Sequence, residues 1–165
     1  KIPENVMGKE IERKFLVKDS SYKAKTLTCR SYRQGYICSG PDKVVRVRTD
    51  GCKGFLSIKG PSRGAVRAEF EYEIPLGDAE ELLETMCERP IIEKHRYIVM
   101  HDGMKWEVDE FHGENEGLCI AEIELEREDQ SFSLPPWAGR EVTSDPRYYN
   151  ANLVRFPYKR WKEHG

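Results

Sequence analysis

Eight stretches of this chain alternate apolar and charged residues with a period of two, and each charged face leans to one sign. Lys9 to Val17 puts Glu10, Glu12 and Lys14 on one face of a strand and Ile11, Phe15 and Val17 on the other. Seven further stretches run roughly over 29–37, 43–50, 54–60, 67–74, 91–100, 104–111 and 118–126. Gly40-Pro41-Asp42, Asp50-Gly51, Gly60 to Gly64, Asp102-Gly103 and Gly113 to Gly117 separate them as turns. Arg46, Arg48, Lys59, Lys94 and Arg96 make basic strands; Glu69, Glu71, Glu107, Asp109, Glu122 and Glu124 make acidic ones.

A surface tuned only for solubility mixes charge signs along each strand. Eight antiparallel strands can close into a barrel, which removes exposed edges. With charged faces inward, the lumen has a basic and an acidic wall, and helices and loops must cover an apolar outside. Buried charges are costly unless paired or bound to ions, so such a lumen implies a highly charged ligand. Periodicity alone leaves inward and outward charges equally open. The fold expected is mainly β, a closed eight-stranded antiparallel barrel with a few covering helices.

The chain has 165 residues, of which 34% are charged and 38% hydrophobic, enough for one domain with a real core. A charged tunnel accounts for both figures. The net charge of -2 gives no global attraction to nucleic acid, so a polyanion would need a local basic wall. Cys29, Cys38, Cys52, Cys87 and Cys119 are odd in number and scattered, which fits a reducing cytoplasm. No cysteine or histidine pair has zinc-ligand spacing, and no apolar run or leader points to a membrane. Met7 reads as a natural start, with residues 1–6 an added segment and 7–165 the domain. Asp78 is expected to cap a helix from Ala79 to about Glu88, and Asp145-Pro146 to open a second. The aromatic, basic tail from Phe156 to Glu163 is expected to dock in a dimer contact, with plugging of a tunnel mouth as the alternative.

Glu10-Ile-Glu12-Arg-Lys14 resembles the Glu-x-Glu-x-Lys signature of the CYTH domain, the triphosphate tunnel metalloenzymes. Arg33-Gln-Gly-Tyr36, Val45-Arg46-Val-Arg48, Glu69-Phe-Glu71, Glu93-Lys94-His-Arg96-Tyr97, Trp106-Glu107-Val-Asp109, Ala121-Glu122-Ile-Glu124 and Glu141 to Tyr148 follow in the family's order. The resemblance spans roughly 9–155 and is most like the small bacterial inorganic triphosphatases. It implies an eight-stranded tunnel with a triphosphate on the basic wall and Mg²⁺ or Mn²⁺ on the acidic one. Carried over by position, Lys14, Arg46, Arg48, Lys59, Lys94 and Arg96 would bind phosphate. Glu10, Glu12, Glu122 and Glu124 would hold metal, with Glu69, Glu71 and Asp109 as further candidates. Lys14 and Tyr36 match a pair implicated in catalysis, and a homodimer is plausible for this branch.

Hydrolysis of a phosphoanhydride asks for positioning and charge neutralisation more than covalent chemistry. Arginine forks meet two phosphate oxygens at once, and carboxylates suit a hard cation. Metal-dependent hydrolysis of inorganic triphosphate is therefore the leading reading. The alternatives are a class IV-type adenylate cyclase, a thiamine or nucleoside triphosphatase, and a non-catalytic polyphosphate-binding module. A cyclase needs an adenine pocket, and no residue set marks one. Thiamine needs aromatic stacking, for which Trp106, Trp137 and Trp161 are available. A pure binder needs only the basic wall, so the acidic strands argue against it.

Overall fold

A computed structural model of the protein describes residues 9–161; the expectation about residues 1–6 and the last part of the tail lie outside the described residues. Nine strands form one antiparallel sheet: β1 (Lys9–Val17), β2 (Thr26–Ser39), β3 (Val44–Thr49), β4 (Gly54–Lys59), β5 (Val66–Ile74), β6 (Ile92–His101), β7 (Met104–Phe111), β8 (Cys119–Glu124) and β9 (Ala138–Glu141). Their order is β5-β4-β3-β2-β6-β7-β8-β1-β9, and a β1–β5 pairing closes the first eight into a barrel.

Closure depends on β1. It pairs with β8 along one edge, Glu12 opposite Glu124 and Lys14 opposite Glu122. Its other edge meets β5 from Lys9 to Ile11 and is then taken over by β9, with Phe15 opposite Glu141 and Val17 opposite Ala138. The sequence pattern lacks β9 because Ala-Gly-Arg-Glu has no alternation to read. β2 also starts earlier than its pattern, and a 3₁₀ turn at Ser20–Lys25 precedes it.

The charged positions point inward, and three apolar clusters hold the wall around them. Outside β1, β7 and β8, Phe15, Trp106, Val108, Ala121 and Ile123 are covered by Tyr22 and Trp137. Outside β3 and β4, helix α1 (Leu76–Thr85) packs Ala79 and Leu83 on Val47. The helix begins three residues earlier than its pattern, with Pro75 as cap, and Asp78 sits in its first turn, where negative charge complements the dipole.

The third cluster is inside the barrel. Ile92, Phe111, Ile120 and Val44 share their strands' inner faces with Lys94, Asp109, Glu122 and Arg46. They meet Tyr148, Leu153, Val154 and Trp161 from the C-terminal segment, which holds a short 3₁₀ turn opened by Asp145 and helix α2 (Asn150–Arg155). The tail therefore docks on its own barrel: Trp161 packs against Tyr148 and donates its indole N–H to the Phe156 carbonyl at 3.0 Å. An aromatic end folds back here because inner apolar positions at this end of the barrel have no other cover.

Two predictions follow from local geometry. A Cβ on Gly54 would lie 2.5 Å from the Ala79 Cβ, whereas one on Gly77 meets nothing within 4 Å. Gly54→Ala should cost about 1–3 kcal/mol in urea unfolding, while Gly77→Ala, on an open helix face, should be neutral or gain up to about 1 kcal/mol. In the β3–β4 turn, Asp50 accepts the backbone N–H groups of Lys53 at 2.8 Å and Cys52 at 2.9 Å, which hold its carboxyl below the usual 3.8. A depressed carboxylate stabilises above its unfolded value and loses that as pH falls through the folded one. The stability gap between wild type and Asp50→Ala should be open at pH 7 and close as the pH is taken below 3.8.

Candidate active site

A cavity of about 610 Å³ runs inside the barrel, lined by the alternate charged residues of its strands. Of the residues singled out in the sequence, Glu10, Glu12, Lys14, Tyr36, Arg46, Arg48, Lys59, Glu69, Glu71, Lys94, Arg96, Glu122 and Glu124 all line it. Asp109 does not. It is buried on the inner face against Lys94 and Arg96, with one oxygen 2.7 Å from Arg96 Nε and the other 2.7 Å from Lys94 Nζ and 2.8 Å from Arg96 Nη2. Both oxygens are committed, so Asp109 braces the basic wall. Its partners were hidden in the sequence because they lie on the neighbouring strand: Arg96 is its register partner on β6.

On the basic wall, guanidinium groups crowd one another. Burial and the Arg46 and Arg96 guanidiniums draw Arg48 down to about 10. The Nε–H groups of Arg46 and Arg48 are buried without a partner. Glu71 sits 3.1 Å from Arg46 and 3.6 Å from Arg48, too little charge for both. Tyr32, absent from the sequence reading, lies under Arg48 and Arg96, with centroid distances of 4.8 and 5.4 Å, and holds the two planes in place. The crowded guanidiniums line the cavity and call for an anion with several oxygens.

The acidic wall has the opposite imbalance. Burial, then Glu122 and Glu10, push the Glu12 carboxyl well above its usual range. Burial, with Glu10 and Glu107, raises the Glu124 carboxyl above its usual value. Lys59 reaches Glu10 at 3.1 Å, and Lys14 reaches Glu122 at 3.0 Å and Glu12 at 3.3 Å. Carboxylates held together at this charge cost fit a hard divalent cation, whose charge would offset the push on Glu12. Among the described residues no three carboxylate, histidine or cysteine side chains converge as a ready-made ligand set. The carboxylates are turned to lysines, so an ion would draw them from Lys14 and Lys59.

Lys14 and Lys94 differ sharply. Burial opposes the Lys14 charge, but Glu122 and Glu12 overcome it and hold Lys14 above the usual lysine value. Lys94 lines the cavity but is almost wholly buried; burial, with Arg96, outweighs Asp109 and brings it down to about 7. Its Nζ also donates to Asn150 Oδ1 at 3.0 Å. The same oxygen accepts from Gln34 Nε2 at 3.0 Å, and Gln34 Nε2 donates to the Tyr36 hydroxyl at 2.9 Å. Asn150 and Gln34 escaped the sequence reading, since neutral amides break no charge pattern. Glu107 lines the cavity too, 2.7 Å from Arg96.

No tryptophan lines the cavity: Trp106 and Trp137 are in the outer cluster and Trp161 is in the C-terminal one. The fold does bring two histidines together on the outside, where His95 Nδ1 meets His112 Nε2 at 2.5 Å, a pair that sequence spacing gave no reason to expect.

The CYTH domain family matches residues 8–156. An inorganic triphosphatase of Acetivibrio thermocellus is 58% identical over 157 residues, 95% of this chain and 100% of that protein. One from Nitrosomonas europaea is 38% identical over 149 residues, 88% of this chain and 96% of the other. The crystal structure of the inorganic triphosphatase NE1496 superposes with a TM-score of 0.64 at 36% identity, covering 88% of this chain and 93% of that one. At 20% identity the PH1012 protein from Pyrococcus horikoshii shares the fold, with a TM-score of 0.55 over 73% of this chain and 81% of its own. With its closed barrel, its opposed charged walls and a match over nearly its whole length, this chain belongs to the CYTH domain family.

Proposed function

We propose that the protein hydrolyses inorganic triphosphate to pyrophosphate and phosphate inside the barrel, with a divalent cation. The carrying observation is the crowded basic wall, where Arg48 is pulled down to about 10 beside partnerless guanidinium N–H groups. A linear polyphosphate supplies what that wall lacks, several oxygens in a row. The two relatives named as inorganic triphosphatases support the same substrate. The absence of tryptophan from the cavity lining weighs against thiamine triphosphate.

Arg46, Arg48, Arg96, Lys14 and Lys59 grip the phosphate chain and neutralise charge on the transferring phosphoryl group. Glu10, Glu12, Glu122 and Glu124 would hold Mg²⁺ or Mn²⁺, which supplies further charge neutralisation on the phosphates when bound. A base must shed its own proton near neutral pH. Lys14 keeps its proton, so its role is phosphate contact, and we assign proton abstraction from the attacking water to Lys94. Tyr36 donates its O–H to a phosphate oxygen. Helices long and apolar enough to cross a membrane do not occur among the described residues. Five free cysteines suit a reducing compartment such as the cytoplasm.

Phosphate release from inorganic triphosphate, pyrophosphate, ATP and thiamine triphosphate, each with Mg²⁺, Mn²⁺ or chelator, tests the assignment. Metal-dependent release from inorganic triphosphate, with little from ATP, is expected. Cyclic AMP from ATP, or binding without turnover, would replace it. Arg48→Ala should lower kcat/KM on triphosphate about 100-fold or more in a folded protein; normal turnover there would remove Arg48 from the site. Since Lys94 works as the free amine, kcat should rise as pH passes through about 7. Asp109, Arg96 and Glu122 are the charged groups acting on it. Lys94→Arg should abolish that rise together with most of kcat, whereas titration of the substrate itself would survive the substitution.

A further inference from the structure

The hydrogen-bond chain from Lys94 to Tyr36 has one consistent direction. Lys94 Nζ donates to Asn150 Oδ1, so Asn150 presents its amide oxygen to Lys94. That oxygen accepts from Gln34 as well, so Gln34 must present its nitrogen. An amide nitrogen carries two N–H groups, and the second of Gln34 goes to the Tyr36 oxygen. Turning Gln34 over would set its Oε1 against Asn150 Oδ1, two acceptors face to face. In the orientation adopted, Gln34 Oε1 is buried without a partner, so the fold tolerates one orphaned acceptor to keep this direction.

Both ends of the chain are thereby aimed. Tyr36 accepts from Gln34, which leaves its own O–H to donate into the cavity that it lines. Lys94 Nζ has Asp109 at 2.7 Å and Asn150 at 3.0 Å. These two acceptors take the two N–H groups of the free amine, and its lone pair is left for the cavity that Lys94 lines. The geometry points to Asn150 as a positioning residue that sets the polarity of this network, directing the Tyr36 hydroxyl hydrogen at an oxygen of the substrate phosphate and the open position of Lys94 at the water that attacks that phosphate. This rests on the triphosphatase reading above. It also gives α2 a part in the chemistry from outside the sheet: Asn150 is its first residue, and Arg155 at its other end is tied to the Ser39 carbonyl and hydroxyl at 2.8 Å each.

The test combines kinetics with a spectroscopic view of Tyr36. Asn150→Leu, or Asn150→Ala if leucine is not accommodated, should lower kcat on inorganic triphosphate about 10–100-fold while KM stays within about threefold. Combined with Tyr36→Phe, the loss should be less than the product of the two single losses, since both act through one hydroxyl. In ¹³Cζ-tyrosine spectra, the Tyr36 signal, assigned by its disappearance in Tyr36→Phe, should move in the Asn150 variant as Gln34 turns over. An unchanged kcat, a rise in KM alone, or an unmoved Tyr36 signal with additive losses would overturn the proposal. A wild type that releases no phosphate from triphosphate, yet whose Tyr36 signal moves in the variant, would sink the triphosphatase reading and leave the hydrogen-bond polarity standing.

Discussion

Like charges are held together on both sides of one barrel, and neither side is neutralised by its own residues. Two guanidiniums, Arg46 and Arg96, crowd Arg48, and burial with Glu122 and Glu10 keeps the Glu12 carboxyl from ionising at its usual value. A protein selected only for stability would relax both clusters, because buried unpaired charge costs more than an apolar replacement. The arrangement makes sense for a bound polyanion together with its counter-cation, each relieving one wall. The ion pairs now present, Lys59 with Glu10 and Lys14 with Glu122, are the substitutes available within the chain.

Keeping such walls in place requires rigid support on their far sides. The outer clusters supply it through Trp106, Phe15 and the α1 contacts, while Asp109, on the inner face, ties down Lys94 and Arg96. Strand β1 carries the greatest burden, since it pairs with β8, β5 and β9 while bearing Glu10, Glu12 and Lys14. Closure of the barrel and placement of the acidic wall are thus one event. A shift of β1 by a single residue would turn all three charged side chains out of the cavity.

Most of this was legible in the sequence wherever a period of two was present. The eight barrel strands and their charged faces follow from alternation, and thirteen sequence-chosen residues meet in one cavity. What periodicity could not decide was the direction of the charged faces. The structure resolves it through Ile92, Phe111 and Ile120, which share the inner faces and need the C-terminal segment as cover. Asp109 is held by Arg96 and Lys94 of β6, which alternation alone could not show, because it reports a face but not a partner. Strand β9 and the early part of β2 carry no alternation at all.

Gln34 and Asn150 mark a different kind of blindness. They carry no charge and lie 116 residues apart, yet they join the two groups best placed for proton transfer. Titratable residues announce themselves in a sequence because their charge is costly wherever it is buried. An amide announces nothing, although in a closed network it decides which neighbour donates and which accepts. Charge therefore brings the substrate and its cation into this barrel, and neutral side chains set the direction in which its protons can move.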